Sequence, residues 1–403
     1  MVLKLNMIQT VAVAVVVLLV GEGVKKRVPF LDKYCIPSPV VGGVLFAILA
    51  LILKQTGIMT FDMDVTLQEV FMTAFFTSIG FKASMRLLKK GGLQVFIFLC
   101  ISILLVISQN VLGISLAKVF NLDPILGLCV GSVPMVGGHA TSGAFGALFE
   151  KMGVTGASTV AIAAATFGLV SGSMIGGPLA KTLIERKHIV TPRDEQRDIN
   201  IKGANEAGEE LSCKESSKEK RFTTASFEIV IAMGLGTIIS SLLQKTGATF
   251  PVYIGAMFAA AIMRNILDNT SIVPYQEEEI EIIGNISLSI FLSMALIGLR
   301  LWELADLALP LIVMLLGQTV LMIAFAYFIT FNIMGRDYEA AVMASGMCGF
   351  GMGATPNAMA NMQALTVKYG DAARAFFVIP LVGSLFIDFC NVGIITAFMN
   401  FVK

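Results

Sequence analysis

Residues 127–150 read GLCVGSVPMVGGHATSGAFGALFE, and residues 345–363 read SGMCGFGMGATPNAMANMQ. Both stretches lie among long apolar runs, yet both are too rich in glycine and small polar residues to face lipid as ordinary spanning helices. Glycine lets the backbone approach a ligand closely, and one proline in each stretch, Pro134 or Pro356, removes a hydrogen-bond donor. The two stretches therefore predict broken helices at membrane depth, where protein or water must satisfy the freed backbone groups. Close helix packing through small residues is the alternative interpretation.

The composition around these stretches is that of a membrane protein. Of 403 residues, 56% are hydrophobic and only 14% are charged, against about 25% charged in a soluble domain. Several apolar runs approach or exceed the roughly 20 residues that span a bilayer. We read the first of them as a retained helix rather than a cleaved signal. The prediction is an all-α membrane protein surrounded by lipid.

The sequence does not indicate an enzyme or a nucleotide-binding protein. Residues 349–354 match the G-x-G-x-x-A dinucleotide pattern, but no alternating strands and helices surround them. We expect no enzymatic activity, no organic cofactor and no nucleic-acid partner.

One hydrophilic segment divides the chain almost equally. Residues 183–225 have mixed charge and no steady apolar period, which predicts a flexible linker between a membrane unit at 1–182 and a second at 226–403. Several short motifs recur in the same order in both units, as pairs of matching residues or segments: Pro39 and Pro251, residues 79–82 and 297–300, Asp123 and Asp337, residues 137–141 and 351–355, Lys151 and Lys368, Gly153 and Gly370. This order predicts an internal duplication.

The distribution of lysine and arginine predicts the orientation. We expect five crossings and one glycine-rich re-entrant segment in each half, with most basic residues on the side of the linker. The positive-inside rule then places the linker in the cytoplasm and both termini outside. An odd number of crossings makes the second half an inverted copy of the first. Secondary transporters of this kind bind their substrates near the midplane, where the two repeats meet.

Two titratable residues in apolar surroundings are candidates for function. His139 lies inside the first broken stretch, where it is either functional or a structural hydrogen-bonding residue. Asp388 lies in an apolar span with Asn391 one helical turn later. An intramembrane carboxylate is costly, so Asp388 is predicted to bind a cation or an ammonium group, with a buried structural hydrogen bond as the alternative. Arg300 and Arg374 are candidate partners for an anionic substrate, although each alone is more typical of a lipid headgroup contact.

Five stretches carry a resemblance to a known family: YCIPSPVVGGVLFA (34–47), VGGHATSGAFG (136–146), ATFGLVSGSMIGGPLA (165–180), GNISLSIFLSMALIGLRLWELADLALP (284–310) and CGFGMGATPNAMANMQALT (348–366). Together they resemble the bacterial sodium-glutamate symporters. The resemblance covers nearly the whole chain except the linker. Ala140 departs from the family pattern, in which a glycine is expected after the histidine, so the geometry of the first loop is expected to differ slightly.

The resemblance implies electrogenic sodium-coupled uptake of L-glutamate through two re-entrant loops. It also implies, by analogy with the sodium-dependent hydroxycarboxylate carriers, a homodimer with an elevator-like step. The alternatives are a sodium-coupled di- or tricarboxylate carrier, a sodium-proton exchanger using Asp388 and His139, and an ion channel. The residues predicted to bind glutamate are Gly137, Gly138, His139, Thr141, Ser142, Arg300, Gly351, Gly353, Thr355 and Asn357. Those predicted to bind sodium are Ser132, Gly346, Asn361, Asp388 and Asn391.

Overall fold

The structure is a computed structural model that describes residues 2–33, 36–86, 92–192, 218–245, 251–270, 276–299 and 307–402. Helices account for most of these residues. In chain order the elements are β1 (Val2–Leu5), α1 (Met7–Lys25), α2 (Pro29–Lys33), α3 (Ser38–Gln55), β2 (Thr60–Met63), α4 (Thr66–Lys82), α5 (Gly92–Val119), α6 (Pro124–Leu128), α7 (Ser132–Met135), α8 (Gly138–Lys151), α9 (Ala157–Arg186), α10 (Lys218–Gln244), α11 (Val252–Thr270), α12 (Glu277–Ile297), α13 (Ala308–Ile333), α14 (Tyr338–Gly351), α15 (Thr355–Tyr369) and α16 (Ala373–Val402).

Long apolar helices confirm the membrane class. Among the described residues, eight helices are long and apolar enough to span a bilayer: α1, α3, α5, α9, α10, α12, α13 and α16. Large apolar side chains such as Leu309 and Val320 remain exposed on them, as expected of surfaces that face lipid. The helices α13 and α16 each contain a π-helical turn, at Phe325–Thr330 and Val382–Phe386.

Two details differ from the sequence-based expectations. The fold is not entirely helical, because β1 and β2 pair as a parallel ribbon with Val2 opposite Thr60. These four-residue strands lie outside the long apolar runs and carry β-favouring residues such as Val2 and Phe61. The segment predicted as a linker, 183–225, is helical at both ends, since α9 continues to Arg186 and α10 begins at Lys218. Leu183 and Ala225 are fully buried, so packing extends both helices. Residues 193–217 lie outside the described residues.

The helices form two groups. The first group consists of α1, α3, α4, α10, α11 and α12, which pack mainly against one another, and the second consists of α5–α9 and α13–α16. Aromatic pairs join the groups, with Phe145 of α8 against Tyr253 of α11 and Phe389 of α16 against Phe258 of α11. Each half of the chain supplies three helices to the first group. Both glycine-rich stretches lie in the second group.

Candidate functional site

The first glycine-rich stretch folds as three short helices with two interruptions. Asp123 caps α6 by accepting a hydrogen bond from the Ile125 amide at 2.8 Å, and α7 and α8 follow. The backbone of Gly138 is left-handed, with φ of 58°. Glycine adopts this conformation without the steric cost that a Cβ atom imposes. Between α7 and α8 lie Val136 and Gly137, and α8 begins at Gly138. We call this interruption the first break.

The second stretch folds as two helices around one interruption. Asp337 caps α14 by accepting from the Ala340 amide at 2.7 Å, and α14 ends at Gly351. Residues 352–354 form the second break. Its last residue, Ala354, has an extended backbone and precedes α15, whose second residue is Pro356. Proline fits there because the first helical amides have no partner within their own helix. The hydroxyl of Thr355 donates to the Gly383 carbonyl on α16 at 3.0 Å.

The two breaks meet. A Cβ atom at Gly138 would lie only 3.3 Å from the carbonyl oxygen of Gly353, so the backbones of the first and second breaks are in close contact. Both also approach α9, where a Cβ atom at Gly168 would overlap the Met352 carbonyl and would lie 3.4 Å from the Met135 sulfur. Residues that are more than 200 positions apart in sequence are thus brought to one place.

Helix α9 supports the second break through glycines four residues apart. Gly172 leaves room for the Cys348 carbonyl, and Gly176 leaves room for the Asn361 amide. Two side chains of α15 bond to this surface of α9. Asn357 donates to the Leu169 carbonyl at 3.0 Å, and Asn361 donates to the Gly172 carbonyl at 2.9 Å. The spacing of four residues places both asparagines on one face of α15.

Several polar atoms in these elements are buried without a hydrogen-bond partner. Ser132 and Asn391 are fully buried, and the Asn391 amide nitrogen donates to the Ser132 carbonyl at 3.1 Å. The Ser132 hydroxyl and the Asn391 amide oxygen have no partner. On α14 and α15, the Ser345 hydroxyl and the Asn357 amide oxygen are also buried and unpartnered. Buried polar atoms are normally satisfied, so these oxygens are candidate ligands for a cation.

His139 has a neutral hydrogen-bonding environment. Its Nε2 atom lies 3.0 Å from the Thr166 hydroxyl, which itself donates to the Ile162 carbonyl at 3.1 Å. Because a threonine hydroxyl has one proton, Nε2 of His139 is the donor of the pair. This hydrogen bond fixes α8 to α9. Among the described residues, no three His, Cys, Asp or Glu side chains are grouped as a transition-metal site requires.

Comparisons with known proteins identify the family. A family profile described as sodium/glutamate symporter matches residues 3–371. The chain is 41% identical over 396 residues to the sodium/glutamate symporter of Escherichia coli (strain K12), covering 98% of both chains. The same figures hold for the sodium/glutamate symporter of Shigella flexneri. The chain is also 40% identical over 389 residues to that of Haemophilus influenzae, covering 96% of this chain and 95% of the relative.

The chain belongs to the sodium/glutamate symporter family. The match to the sodium/glutamate symporter profile includes both breaks and α9, and it ends before α16 begins. Asp388 and Asn391 therefore lie outside the residues that the profile matches, but within the alignment to the Escherichia coli relative, which covers 98% of this chain.

The structure joins some of the predicted site residues and separates others. Nine of the residues predicted to bind glutamate lie in or beside the two breaks: Gly137, Gly138, His139, Thr141, Ser142, Gly351, Gly353, Thr355 and Asn357. Gly346 lies against the Met362 sulfur and the Ile379 side chain, so its Cα faces apolar neighbours. Arg300 lies outside the described residues.

Neither Asp388 nor Arg374, both of which the structure describes, is hydrogen-bonded to either break. Asp388 is half-buried on α16. No hydrogen bond joins Asp388 to Ser132 or Asn391, all of which the structure describes. The Nη2 atom of Arg374 donates to both carboxylate oxygens of Asp337, at 2.6 and 2.7 Å. Its guanidinium is therefore engaged at the start of α14.

Three buried amides were missed by the sequence reasoning. Gln109 and Asn110 on α5 and Gln318 on α13 are fully buried. Gln109 donates to the Gly351 carbonyl at 2.7 Å, and Asn110 accepts from the Ser132 amide at 2.9 Å. The signal was available, because each amide interrupts a long apolar run and polar residues inside membrane spans are costly.

Proposed function

We propose that this chain takes up L-glutamate together with sodium ions across a bacterial inner membrane. The observation that carries the proposal is the meeting of the two breaks against α9 in a chain whose relatives are named sodium/glutamate symporters. Broken helices offer two kinds of ligand. Helix N-termini favour carboxylates, and unwound carbonyls with neutral oxygens favour sodium.

The substrate is proposed to bind between the helix starts of the two breaks. Helices α8 and α15 both begin at a break, and their first amides have no partner within their own helix. Glutamate has two carboxylates, so one can be received at each helix start. Gly137, Gly138, Gly351 and Gly353 let the backbone approach the ligand, while Thr141, Ser142, Thr355 and Asn357 supply hydrogen bonds. His139 orients α8, and Arg300 is proposed as the cationic partner.

Sodium is proposed to bind at two sets of neutral oxygens. One set comprises Ser132 and Asn391, and the other comprises Ser345, Asn357 and Asn361 with the Gly346 backbone. Sodium coordinates oxygen atoms, and the unpartnered oxygens of Ser132, Asn391, Ser345 and Asn357 are such atoms. Asp388 is proposed to act on sodium from the boundary of the two helix groups. At least two ions per glutamate would make each cycle net positive, worth about 2.3 kcal/mol per 100 mV for one net charge.

The transport movement is proposed to follow from an inverted repeat. Matching geometry at equivalent positions supports the duplication. Asp123 and Asp337 both cap the helix that opens a glycine-rich stretch, and Gly153 and Gly370 both have positive φ. The separation of the helices into two groups suits an elevator-like step of the second group against the first. In this proposal the chain is a homodimer in lipid, with the linker cytoplasmic and both termini outside.

Uptake by purified protein in proteoliposomes tests the function. Radiolabelled L-glutamate should accumulate when an inward sodium gradient is imposed, and potassium should not replace sodium. An inside-negative potential should increase the rate. Sodium-dependent uptake of radiolabelled citrate or malate, without uptake of glutamate, would instead indicate a carboxylate carrier. Absence of sodium-dependent glutamate uptake by well-folded protein would overturn the proposal.

A further inference from the structure

Two adjacent residues of α5 hold the two glycine-rich stretches at the same time. Asn110 accepts a hydrogen bond from the Ser132 amide at 2.9 Å, at the start of α7. Gln109 donates to the Gly351 carbonyl at 2.7 Å, at the end of α14. Both side chains are fully buried. These two neighbouring residues of α5 are therefore hydrogen-bonded to α7 at Ser132 and to α14 at Gly351, the residue before the second break.

The packing around this point is tight. A Cβ atom at Gly131 would lie 2.6 Å from the Asn110 amide oxygen, and a Cβ atom at Gly351 would lie 2.8 Å from Leu105 on α5. Tightly packed interiors transmit small displacements. A shift of Ser132 on ion binding would therefore move Asn110, and Gln109 would carry that shift to Gly351.

The orientation of the Gln109 amide is defined by its bond to a carbonyl, which accepts but never donates. Its oxygen is left without a partner, and so is the Asn110 amide nitrogen. The backbone carbonyl of Gln109 in turn accepts from Gln318 of α13 at 2.9 Å. Gln318 thus supports the backbone of α5 without bonding to either stretch, and it provides a natural control.

We infer that Gln109 and Asn110 are positioning residues that couple sodium binding at Ser132 to glutamate binding at the second break. The inference rests on the proposed function. Thermodynamic coupling is reciprocal, so sodium raises the affinity for glutamate by the same factor by which glutamate raises the affinity for sodium. The coupling factor distinguishes a positioning role from a structural one. A general loss of packing can weaken the binding of both ligands without changing the effect of one ligand on the affinity for the other.

The experiment measures the glutamate Kd of purified protein at saturating sodium and with sodium replaced by potassium. The ratio of the two Kd values is the coupling factor. Gln109→Met keeps the length of the side chain but removes the donor, and Asn110→Leu keeps the shape but removes the acceptor. We expect each to lower the coupling factor at least about fivefold. Asn110→Asp retains an acceptor for the Ser132 amide and should keep most of the wild-type coupling factor.

Two controls isolate the effect. Ser108→Ala removes a hydroxyl that bonds within its own helix, to the Leu104 carbonyl, and should leave the coupling factor unchanged. Gln318→Met removes an equally buried amide that bonds to neither stretch and should change the factor less than Gln109→Met. If Gln109→Met does not yield monodisperse protein, Gln109→Asn keeps an amide that is too short to reach Gly351 and should lower the factor as well.

The outcomes are distinct. A wild-type coupling factor in Gln109→Met or Gln109→Asn and in Asn110→Leu would overturn the inference, as would an equal loss in Ser108→Ala. A wild-type protein whose glutamate affinity is independent of sodium would instead overturn the proposed function.

Discussion

The hydroxyl of Ser132 is buried and has no hydrogen-bond partner. Leaving such a group unsatisfied costs about 1–3 kcal/mol. Ser132 carries this cost at the start of α7, beside Asn391, whose amide oxygen is also unpartnered. A bound cation would remove the cost for both. Such atoms also occur away from the breaks, for example in Thr10 and Ser293, so the argument for a cation rests on the adjacency of two unpartnered residues, Ser132 and Asn391.

The first prediction concerns Ser132→Ala. Because the hydroxyl has no protein partner, its removal should not lower the melting temperature. It should raise the sodium concentration for half-maximal uptake by about tenfold, equivalent to about 1.4 kcal/mol. Ser102→Ala is the matched control, since the Ser102 hydroxyl is buried on the same helix as Gln109 and bonds to the Phe98 carbonyl. Unchanged sodium dependence in Ser132→Ala would remove Ser132 from the ion site.

The second prediction separates two roles of His139. If it serves only to donate to Thr166, His139→Gln should retain most of the uptake because glutamine can donate the same bond. His139→Leu should lose uptake strongly, since it leaves the Thr166 hydroxyl oxygen without this donor. A sodium-proton exchanger would behave differently. In that case His139→Gln would abolish sodium-driven proton movement, which a pH-sensitive dye inside the liposomes would detect.

At the scale of elements, the broken helices could be predicted from sequence and their surroundings could not. Glycine and proline impose local backbone constraints, so the interruptions near Gly138 and Gly353 follow from the residues themselves. The support by α9 is non-local. Nothing in a single sequence states that Asn357 bonds to Leu169 or that Gln109 reaches Gly351.

Asp388 illustrates the limit of a general rule. An intramembrane carboxylate is expected to be functional, and this rule led to its assignment as a sodium ligand. The structure places it half-buried on α16, without a hydrogen bond to Ser132 or Asn391. The rule identifies a residue that is costly to bury, but it does not say which ligand or neighbour offsets the cost, so the sodium role of Asp388 stays a prediction. Gln109 and Asn110 are the opposite case, because neutral amides are less conspicuous than a charge in an apolar run.

The third prediction tests the meeting of the breaks. Gly138→Ala places a Cβ atom at a left-handed residue, at a cost of roughly 1–2 kcal/mol, and 3.3 Å from the Gly353 carbonyl. Relaxation would separate the breaks, so uptake should fall by about tenfold or more with little change in expression. Gly177→Ala on α9 is the control, because a Cβ atom there meets nothing within 4 Å. Equal uptake by the two variants would contradict the site.

At the scale of the whole molecule, composition and hydropathy identify the helices but do not predict their division into two groups. That division depends on which apolar faces meet. The first group receives α1, α3 and α4 from one half and α10, α11 and α12 from the other. This equal contribution is what a duplicated chain would produce. The aromatic contacts between the groups, such as Phe258 with Phe389, then mark the surface along which an elevator-like step would occur.

The fourth prediction tests movement at that surface by cross-linking the two groups. In a chain whose six native cysteines are replaced by alanine, Phe258→Cys and Phe389→Cys place one thiol on each group, where the native rings are 5.3 Å apart. A bifunctional thiol reagent should abolish uptake while sodium-dependent glutamate binding persists, because the proposed site lies within one group. Cleavage of a reducible cross-link should restore uptake. Phe46→Cys with Phe61→Cys joins α3 to β2, away from the boundary between the groups, from rings 5.2 Å apart. This cross-link should leave uptake intact, and full uptake by the cross-linked Phe258–Phe389 pair would exclude movement at this surface.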